Sequence, residues 1–436
     1  MSQLSRRDFL KLTGTAGAAA TAAGLLRFNI RTARAQTPLT VQMRTLFTTG
    51  SNEVLTSLVN YWAEQNNVDL DFSLLNHPQM ADTLATAAAT GAGPDVLETV
   101  HIKPHQFAEV LVDVSDVCEE IGEEYGGWYE VARDIAVVDG VWRAMPHYLA
   151  AHALVVREDL FQEAGFGIGE DFPSTWEELL VAGTALKAMG KPLGFALGHA
   201  GGDGNNFAYS VLWSFGGSVT DEEGVVNLDT PETRQAVEFV QQLYNDAMDP
   251  GVLSWDDGSN NLAFASGEIS CTNNASSILF AARRDQLDFT EAINHYAYPA
   301  GPAGLVQFLE LNTIQILNFA GEEQIELAKD LFRYLNSPDV WLPLAPGTMA
   351  FTHPLLTMYE DHPAMPWNTD PKLAAFKGLP ATGKALGYPA APSAAASEVA
   401  AQFLIIDMFA QVCAGVMSVE ESIQMTEQAC REIYGQ

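Results

Sequence analysis

Hydrophobic and polar positions along the chain follow two periods in turn, which predicts strands alternating with helices. Residues 39–43 and 68–72 alternate apolar and polar side chains, as half-buried strands do. Apolar residues between these segments recur at helical spacing, and a second helix is predicted from 78 to 90, closed by Gly91. A short apolar strand is predicted at 95–97. The order strand, helix, strand, helix, strand predicts the beginning of a parallel sheet covered by helices.

Two later helices carry clear start signals. Thr175 and Glu178 have the spacing of a capping box, in which each side chain bonds the other residue's backbone N–H. Thr230 stands before Pro231, which suits the first position of a helix. The chain therefore continues as an α/β protein through its middle.

The last third of the chain is predicted to be mostly helical. One helix extends from about Glu322 to Leu335 and is stopped by Ser337-Pro338. Helical periodicity then resumes at Ser397 and reaches the C-terminus in two pieces. Ser418 is the predicted cap of the second piece.

The first 35 residues have the pattern of an export signal. Arg6 and Arg7 precede an apolar position, and a weakly hydrophobic run extends from 12 to 26. This run is too short and too weakly apolar to anchor in a bilayer, and residues 33–35 offer a cleavage site between small residues. The order of these elements predicts a twin-arginine signal peptide at 1–35 and a location in the periplasm or at the cell exterior. The alternative is a cytosolic protein with a chance arginine pair.

Length and charge narrow the class of protein. The chain has 436 residues, enough for two or three domains, and 47% of them are hydrophobic. Its 55 acidic and 22 basic residues give a net charge of −33, which excludes nucleic acid as a partner and disfavours anionic lipid. No run of 18 apolar residues follows the signal, so the mature protein is expected to be soluble.

The cysteines do not form a metal or redox motif. Cys118, Cys271, Cys413 and Cys430 are too far apart in sequence for a C-x-x-C pair. Cys413 and Cys430 could bridge two antiparallel helices in an oxidising compartment, but four buried thiols fit the sequence equally well.

Motifs of catalysis and metal binding are missing from the sequence. It contains no G-x-S-x-G, no H-E-x-x-H and no G-x-x-x-x-G-K-[ST]. Glu98, His101 and His105 are the nearest metal candidates, but Pro104 disfavours the helical geometry that the two histidines would need. We therefore expect no metal, no cofactor and no catalytic residues.

Polar and aromatic side chains are abundant after the predicted strands. Such side chains suit a polyol, because amides, carboxylates and imidazoles bond hydroxyls while flat rings cover the apolar face of a sugar. The polar candidates are Thr48, Thr49, Ser51, Asn52, Glu98, His101, Asn205, Asn206, Asn273, Asn274, Glu310 and Asn312. The aromatic candidates, each of which also fits ordinary core packing, are Tyr148, Trp213, Trp341, Trp367 and Tyr388.

Short motifs in a fixed order connect the chain to a known family. They are Gly93-Pro94-Asp95-Val96, Met145-Pro146, Leu154 to Phe161, Pro173 to Leu179, Phe215-Gly216-Gly217, Phe264 to Glu268, and Ala328 to Pro338. With them the chain resembles the extracellular solute-binding proteins of ABC importers, in the branch that includes maltose-type sugar-binding proteins. The resemblance covers nearly the whole mature chain.

This resemblance implies a two-lobe periplasmic-binding-protein fold of class α/β. Each lobe would be a mainly parallel sheet flanked by helices, and the ligand would lie in the cleft. Three hinge crossings would fall near 148–153, 295–299 and 347–353. Lobe 1 would comprise 37–147 plus 299–346, and lobe 2 would comprise 148–298 plus 347–436.

The resemblance also implies a set of ligand-binding residues. Ala150 and Ser277 stand where maltose-type members have an acidic residue and a stacking aromatic, which disfavours maltose itself. His147, Tyr148 and His152 are local replacements, and Glu310 stands where many relatives keep glycine. The expected site is Thr49, Asn52, Glu98, His101, His147, Tyr148, Asn206, Trp213, Asn273, Asn274, Glu310, Asn312, Trp367 and Tyr388.

The function implied by the resemblance is capture without chemistry. A monomer would bind a sugar or oligosaccharide, close around it, and deliver it unchanged to the permease subunits of an ABC importer. Two alternatives stay open at this point. One is an exported glycoside hydrolase, and the other is the same fold with a non-sugar ligand such as a polyamine.

Overall fold

The structure is a computed structural model that describes residues 37–48 and 50–436. The predicted signal peptide, residues 1–35, and the predicted site residue Thr49 lie outside the described residues.

A six-stranded mixed sheet forms one half of the fold. Its strands are β1 (Thr37–Arg44), β2 (Val68–Leu75), β3 (Val96–Val100), β6 (Met145–Ala150), β10 (Glu310–Ile316) and β11 (Thr352–Pro354). Their order across the sheet is β11-β6-β10-β3-β1-β2. β1 is parallel to both β2 and β3, as the sequence predicts. β10 is antiparallel to β3 and β6, and β11 is antiparallel to β6.

A smaller sheet forms the other half. Its strands are β7 (Ala153–Arg157), β8 (Cys271–Asn274) and β9 (Ile293–Tyr296), in the order β8-β7-β9. Both pairings are antiparallel, so the expectation of a mainly parallel sheet is wrong for this half. The cause is that β7 starts at the connection to the larger sheet and runs away from it, whereas β8 and β9 both end beside it. A two-residue hairpin, β4 (Val137–Val138) with β5 (Val141–Trp142), completes the strands of the described chain.

Helices pack around both sheets. In the first part of the described chain they are α1 (Ser51–Asn66), α2 (His77–Thr90), α3 (Lys103–Gln106), α4 (Ser115–Glu124), α5 (Glu130–Ala136), α6 (Glu158–Glu163), α7 (Trp176–Ala188), α8 (Asp203–Ser214) and α9 (Pro231–Asp246). In the second part they are α10 (Ser259–Ala265), α11 (Ser277–Asp285), α12 (Glu322–Asn336), α13 (Pro338–Gly347), α14 (Pro366–Thr369), α15 (Leu379–Thr382), α16 (Ala394–Ala401), α17 (Leu404–Cys413) and α18 (Val419–Tyr434).

The helix starts read from the sequence are confirmed. Thr175 and Ser418 each accept a hydrogen bond from the backbone N–H three residues on, and a glutamate at that position bonds back. Thr230 caps α9, with Pro231 at its first turn. These caps satisfy N–H groups that a helix start otherwise leaves without partners.

The C-terminal region departs from the prediction in two places. Pro338 stops α12 as predicted, but it also begins α13, because proline suits the first helical position. The segment expected as two helices is three, since Phe403 takes a left-handed φ of 58° between α16 and α17. By length and composition Ala394–Cys413 could cross a membrane, but 56% of it is buried inside the protein. The break at Phe403 and the burial indicate that this segment belongs to the core of the protein.

The first predicted crossing joins the two sheets directly. β6 leads into β7 through Ala151 and His152 alone, so one chain direction is kept from the larger sheet to the smaller. At the second, β9 of the smaller sheet precedes β10 of the larger sheet. The third, near 347–353, leads from α13 into β11, an edge strand of the larger sheet, and stays a prediction as a crossing. The lobe boundaries expected from the sequence stay a prediction.

Cys413 and Cys430, the pair that the sequence left open, are free in the structure. Cys118 and Cys271 are free as well, and all four thiols are buried. Burial raises the pKa of Cys413 and of Cys430 to about 12, which keeps both thiols protonated and poorly reactive.

We expect thiol titration of the purified protein to reveal this arrangement. The native protein should react with essentially none of its thiols, because thiolate formation is suppressed in the buried state. Unfolding in denaturant without reductant should expose all four cysteines. Release of only two thiols would instead mean that a disulfide forms in the exported protein.

Candidate functional site

A cavity lies where the ends of the two sheets meet. The space between the residues that line it amounts to about 310 Å³, a volume that includes open solvent at the mouth. Both sheets contribute, since Glu310 begins β10 and Asn274 ends β8. The lining residues are Arg44, Phe47, Ala150, His152, Gly202, Asp203, Asp257, Asn261, Asn274, Ala275, Ser277, Glu310 and Phe351.

A buried ion pair forms the wall on the side of the larger sheet. The Arg44 guanidinium, at the end of β1, pairs with Glu310, and the two side chains are 6% and 2% exposed. Nη1 of Arg44 also donates to Oδ1 of Asn312 at 3.2 Å. Burial acts to raise the pKa of Glu310, but the charge of Arg44 and the electrostatic effect of the neighbouring histidines together outweigh it, and the pKa falls to about 2. Glu310 is therefore an ionised carboxylate at physiological pH.

A second buried pair, Glu98 with His147, lies next to the first and holds the backbone of Arg44. Oε2 of Glu98 accepts the backbone N–H of Arg44 at 2.7 Å, and Oε1 lies 3.0 Å from Nδ1 of His147. Tyr148 packs edge-on against the His147 ring, with centroids 5.0 Å apart. These side chains hold the end of β1 against its neighbours in the sheet, so that Arg44 is fixed in direction.

Asp203 organises the wall on the side of the smaller sheet. Its Oδ1 lies 2.9 Å from Nε2 of His152, in the first crossing. Its Oδ2 accepts from Nδ2 of Asn260 at 2.9 Å and of Asn274 at 3.3 Å. Burial acts to lower the pKa of His152, but the hydrogen bond and charge of Asp203 outweigh it, and the pKa is raised. The crossing is thereby tied to the start of α8.

Asp257 completes this wall. Its Oδ1 accepts the backbone N–H groups of Gly202 at 2.9 Å and of Asp203 at 3.0 Å, at the start of α8. Burial, together with the charges of Asp203 and Glu310, raises the pKa of Asp257 to about 6. The two N–H groups at the helix start stabilise the ionised form of Asp257, whereas the neighbouring carboxylates destabilise it.

The structure brings several of the predicted site residues together. Glu310 and Asn274 line the cavity itself. Glu98, His147, Tyr148 and Asn312 surround Arg44 or its neighbours in the sheet. Asn273 lies behind Asn274, where its Nδ2 donates to the backbone oxygen of Asp203 at 2.8 Å.

His101 takes a strained position beside this group. Its backbone has a left-handed φ of 61°, and its ring packs against His77 and Phe308. Neither ring nitrogen has a partner among the described residues, although the residue is only 7% exposed. Burial lowers the pKa of His101 to about 3, so the imidazole is neutral.

Other predicted residues lie outside the lining of the cavity. Both ends of the Asn52 amide bond the backbone of Leu46, which shapes the loop after β1. Asn206 is buried on α8 and donates to the backbone oxygen of Phe308 at 2.7 Å. Trp367 stacks on His353, with ring centroids 4.0 Å apart.

Trp213 and Tyr388 line a different, small cavity. Their rings meet edge to face at 5.3 Å, and Trp213 is 2% exposed. Tyr209 and Tyr434 contribute further aromatic surface. This small aromatic cavity lies on the far side of Phe308, whose ring contacts both Trp213 and His101.

The charged residues of the cavity lining other than Glu310 were missed by the sequence analysis. Arg44, Asp203 and Asp257 were not among the expected ligand-binding residues, and His152 was only a local replacement. Asp203 stands at a helix start, which is a signal for an acidic cap rather than for a ligand. Arg44 continues the alternation of β1, so nothing in the sequence separates it from a solvent-facing arginine.

The metal alternative finds no geometric support in residues 37–48 and 50–436. No group of three or more His, Cys, Asp or Glu side chains in that part of the chain could hold a metal ion. Nε2 of His105 instead lies 2.8 Å from the backbone oxygen of Asp134.

Comparisons with known proteins identify the class of protein. The model of the bacterial extracellular solute-binding protein family matches residues 58–375. The model of the twin-arginine translocation signal matches residues 3–23. The chain therefore belongs to the bacterial extracellular solute-binding protein family, and the predicted export to the periplasm is confirmed.

Two curated relatives match part of the chain. A binding protein of Brucella abortus strain 2308 is 24% identical over 249 residues, which is 56% of this chain and 58% of the relative. The ABC transporter periplasmic-binding protein YcjN of Escherichia coli K12 is 30% identical over 178 residues, 38% of this chain and 39% of YcjN. The chain thus matches little more than half the length of the first relative and less of the second.

Solved structures share the fold over most of the chain. Maltose-bound MalE3 of T. maritima has a TM-score of 0.78 and 23% identity, with 91% of this chain and 100% of that chain covered. A sugar transporter from Arthrobacter chlorophenolicus A6 with bound laminaribiose has a TM-score of 0.77 and 19% identity, covering 91% and 99%. The predicted two-lobe α/β periplasmic-binding-protein fold is confirmed.

Removal of the arginine from the buried pair should destabilise the protein strongly. Arg44→Ala leaves Glu310 charged and unpaired inside the fold, a change that costs about 3–5 kcal/mol in comparable pairs. The matched control is Arg234→Ala, which breaks an exposed pair with Glu420 and should cost less than about 1 kcal/mol. Denaturant unfolding measures both. Equal losses would mean that the pair at the cavity contributes no more than a surface pair.

The same pair should make stability sensitive to acid. Because the pKa of Glu310 lies at about 2, below the ordinary 4.5, its contribution is full above pH 4.5 and is lost as the pH falls through 2. Glu310→Gln removes that titration. The free energy of unfolding should therefore fall less steeply for the variant than for the wild type between these pH values, and parallel profiles would contradict this assignment.

Proposed function

We propose that this protein is the solute-binding component of an ABC importer and that it captures a sugar or oligosaccharide in the cavity between its two sheets. The observation that carries the proposal is the cavity lining, in which amide, carboxylate and hydroxyl groups from both sheets converge on one space. Such groups suit a ligand rich in hydroxyls. The named relatives and the solved structures with bound sugars support the same class of ligand.

Binding would be coupled to the distance between the two sheets. Glu310 and Arg44 belong to the larger sheet, whereas Asn274 and Asp203 are held on the smaller one. A ligand that bonds both walls favours the closed arrangement over an open one, by the difference of its affinities for the two. The two-residue link through Ala151 and His152 is the natural place for the required change in backbone angles.

Delivery of the unchanged ligand to membrane permease subunits would follow closure, with the protein acting as a monomer. The family and its relatives are binding proteins of transport systems. Hydrolysis would require a carboxylate free to act as a nucleophile or base. The match to the solute-binding protein family, together with solved structures of the same fold that hold bound sugars, supports binding without chemistry.

Among the predicted residues, Glu310 and Asn274 are the ones we assign to ligand contact. The residues around Arg44 (Glu98, His147, Tyr148 and Asn312) would position that contact surface. The aromatic cover of a sugar ring would come from Phe47 and Phe351, which line the cavity with ring centroids 6.2 Å apart.

Thermal-shift screening with mono- and oligosaccharides should identify a stabilising ligand. Stabilisation follows RT ln(1+[L]/Kd), so a micromolar ligand at millimolar concentration adds about 4 kcal/mol. Small-angle scattering with the same ligand should report a smaller radius of gyration, and chromatography should recover the ligand intact. A cleavage product would replace the proposal with the glycoside hydrolase alternative.

Asn274→Ala should weaken the binding of that ligand about tenfold, since it removes an amide from the cavity wall. Titration calorimetry measures the change, with the exposed Asn245→Ala as the matched control. An unchanged affinity in Asn274→Ala, with the control also unchanged, would remove this wall from the binding site.

A further inference from the structure

Two carboxylates from opposite sheets face the same small space in the cavity. Gly202 precedes α8 and has no side chain to separate them. A Cβ built at Gly202 would lie 2.4 Å from Oε2 of Glu310 and 3.4 Å from Oδ1 of Asp257. One oxygen of each acidic group therefore lies within 3.4 Å of the same point beside Gly202.

Both carboxylates keep an oxygen free for a further bond. Oε1 of Glu310 is used by Arg44, and Oδ1 of Asp257 by the start of α8. Neither Oε2 of Glu310 nor Oδ2 of Asp257 has a hydrogen-bond partner within the described part of the chain. Glu310 is only 2% exposed, yet it lines the cavity, so its second carboxylate oxygen is left to face the ligand space.

The charge of the cavity lining is unbalanced. It contains three carboxylates, Asp203, Asp257 and Glu310, against one guanidinium, which Glu310 already engages. The ring of His152 is hydrogen-bonded to Asp203 and makes no bond to Asp257. Like charges at this range oppose each other, and the raised pKa of Asp257 has that repulsion among its causes.

A cation between the two carboxylates would remove this repulsion, whereas a neutral hydroxyl would not. A primary ammonium has three donors and no acceptor, and charge-assisted bonds to carboxylates are about twice as strong as neutral ones. The remaining amides and hydroxyls of the lining, from Asn261, Asn274 and Ser277, still suit a polyol. The net charge of −33 also favours the approach of a cation.

We propose that the ligand is an amino sugar, whose ammonium group lies between Glu310 and Asp257 while its hydroxyls bond the amides of the smaller sheet. Asp257 is then the residue that sets specificity for the charged ligand. This proposal rests on the proposed function, since it names the kind of sugar that the same cavity takes. Polyamines share the ammonium group but lack the hydroxylated ring.

Calorimetric titration of the mature protein at pH 7 tests the proposal with matched compounds. The probes are glucosamine, galactosamine and mannosamine, the parent hexoses, the N-acetyl derivatives, and spermidine. We expect at least one amino sugar to bind ten or more times more tightly than both its parent hexose and its N-acetyl derivative. Equal or tighter binding of the neutral forms would overturn the amino-sugar proposal and leave the proposed function standing.

Asp257→Asn keeps the shape of the side chain and removes its charge. It should weaken amino-sugar binding at least tenfold and change the affinity for the parent hexose by less than about threefold. Asp256→Asn is the control, because Asp256 bonds Ser259 and Gly258 and is exposed. Equal losses for charged and neutral sugars in Asp257→Asn would refute the assigned role.

Two further outcomes separate the proposals from each other. Binding of spermidine without binding of any amino sugar would keep the ammonium site and overturn the sugar ligand. Failure of every saccharide and of spermidine, with the protein folded by circular dichroism, would count against the proposed function together with this inference.

Discussion

The buried pair of Arg44 and Glu310 is the interaction on which the organisation of the cavity depends. It joins the end of the first strand to the start of β10, 266 residues later in the chain. Burial of either charge alone would be costly, so each group requires the other in place. Glu98 fixes the backbone of Arg44, and Asn312 shares its guanidinium, so the pair is held from two sides. This wall of the cavity is consequently tied directly to the strands of the larger sheet.

Local features of the fold could be predicted because they depend on neighbours in the sequence. The first two strands follow from alternation and the third from a short apolar run, and the starts of α7, α9 and α18 follow from capping residues. The direction of β7 relative to β8 and β9 could not be predicted, since it depends on how the chain passes between the sheets. The break at Phe403 has no local signal either, because phenylalanine has no preference for a left-handed backbone.

The type of side chain at the candidate site could be predicted from the sequence, but only some of the individual residues could. Polar residues beside strand ends led to Glu310 and Asn274, which line the cavity. Aromatic residues gave no comparable guide, because Trp213 and Trp367 have the same sequence appearance whether they face a ligand or the core. In the structure they are 2% and 4% exposed and lie outside the cavity lining. Asp257 was missed because a single acidic residue in a loop has no period and no motif.

The absence of a side chain at Gly202 has a consequence for how far the molecule can shut. The start of α8 rests almost directly on Glu310, and Gly201 beside it leaves only 3.0 Å between a would-be Cβ and the ring of His77. Two adjacent glycines therefore permit the start of α8 to approach the larger sheet this closely. A side chain at Gly202 would have to displace Glu310 or move the two walls of the cavity apart, so the spacing between them depends on the smallest residue at this position.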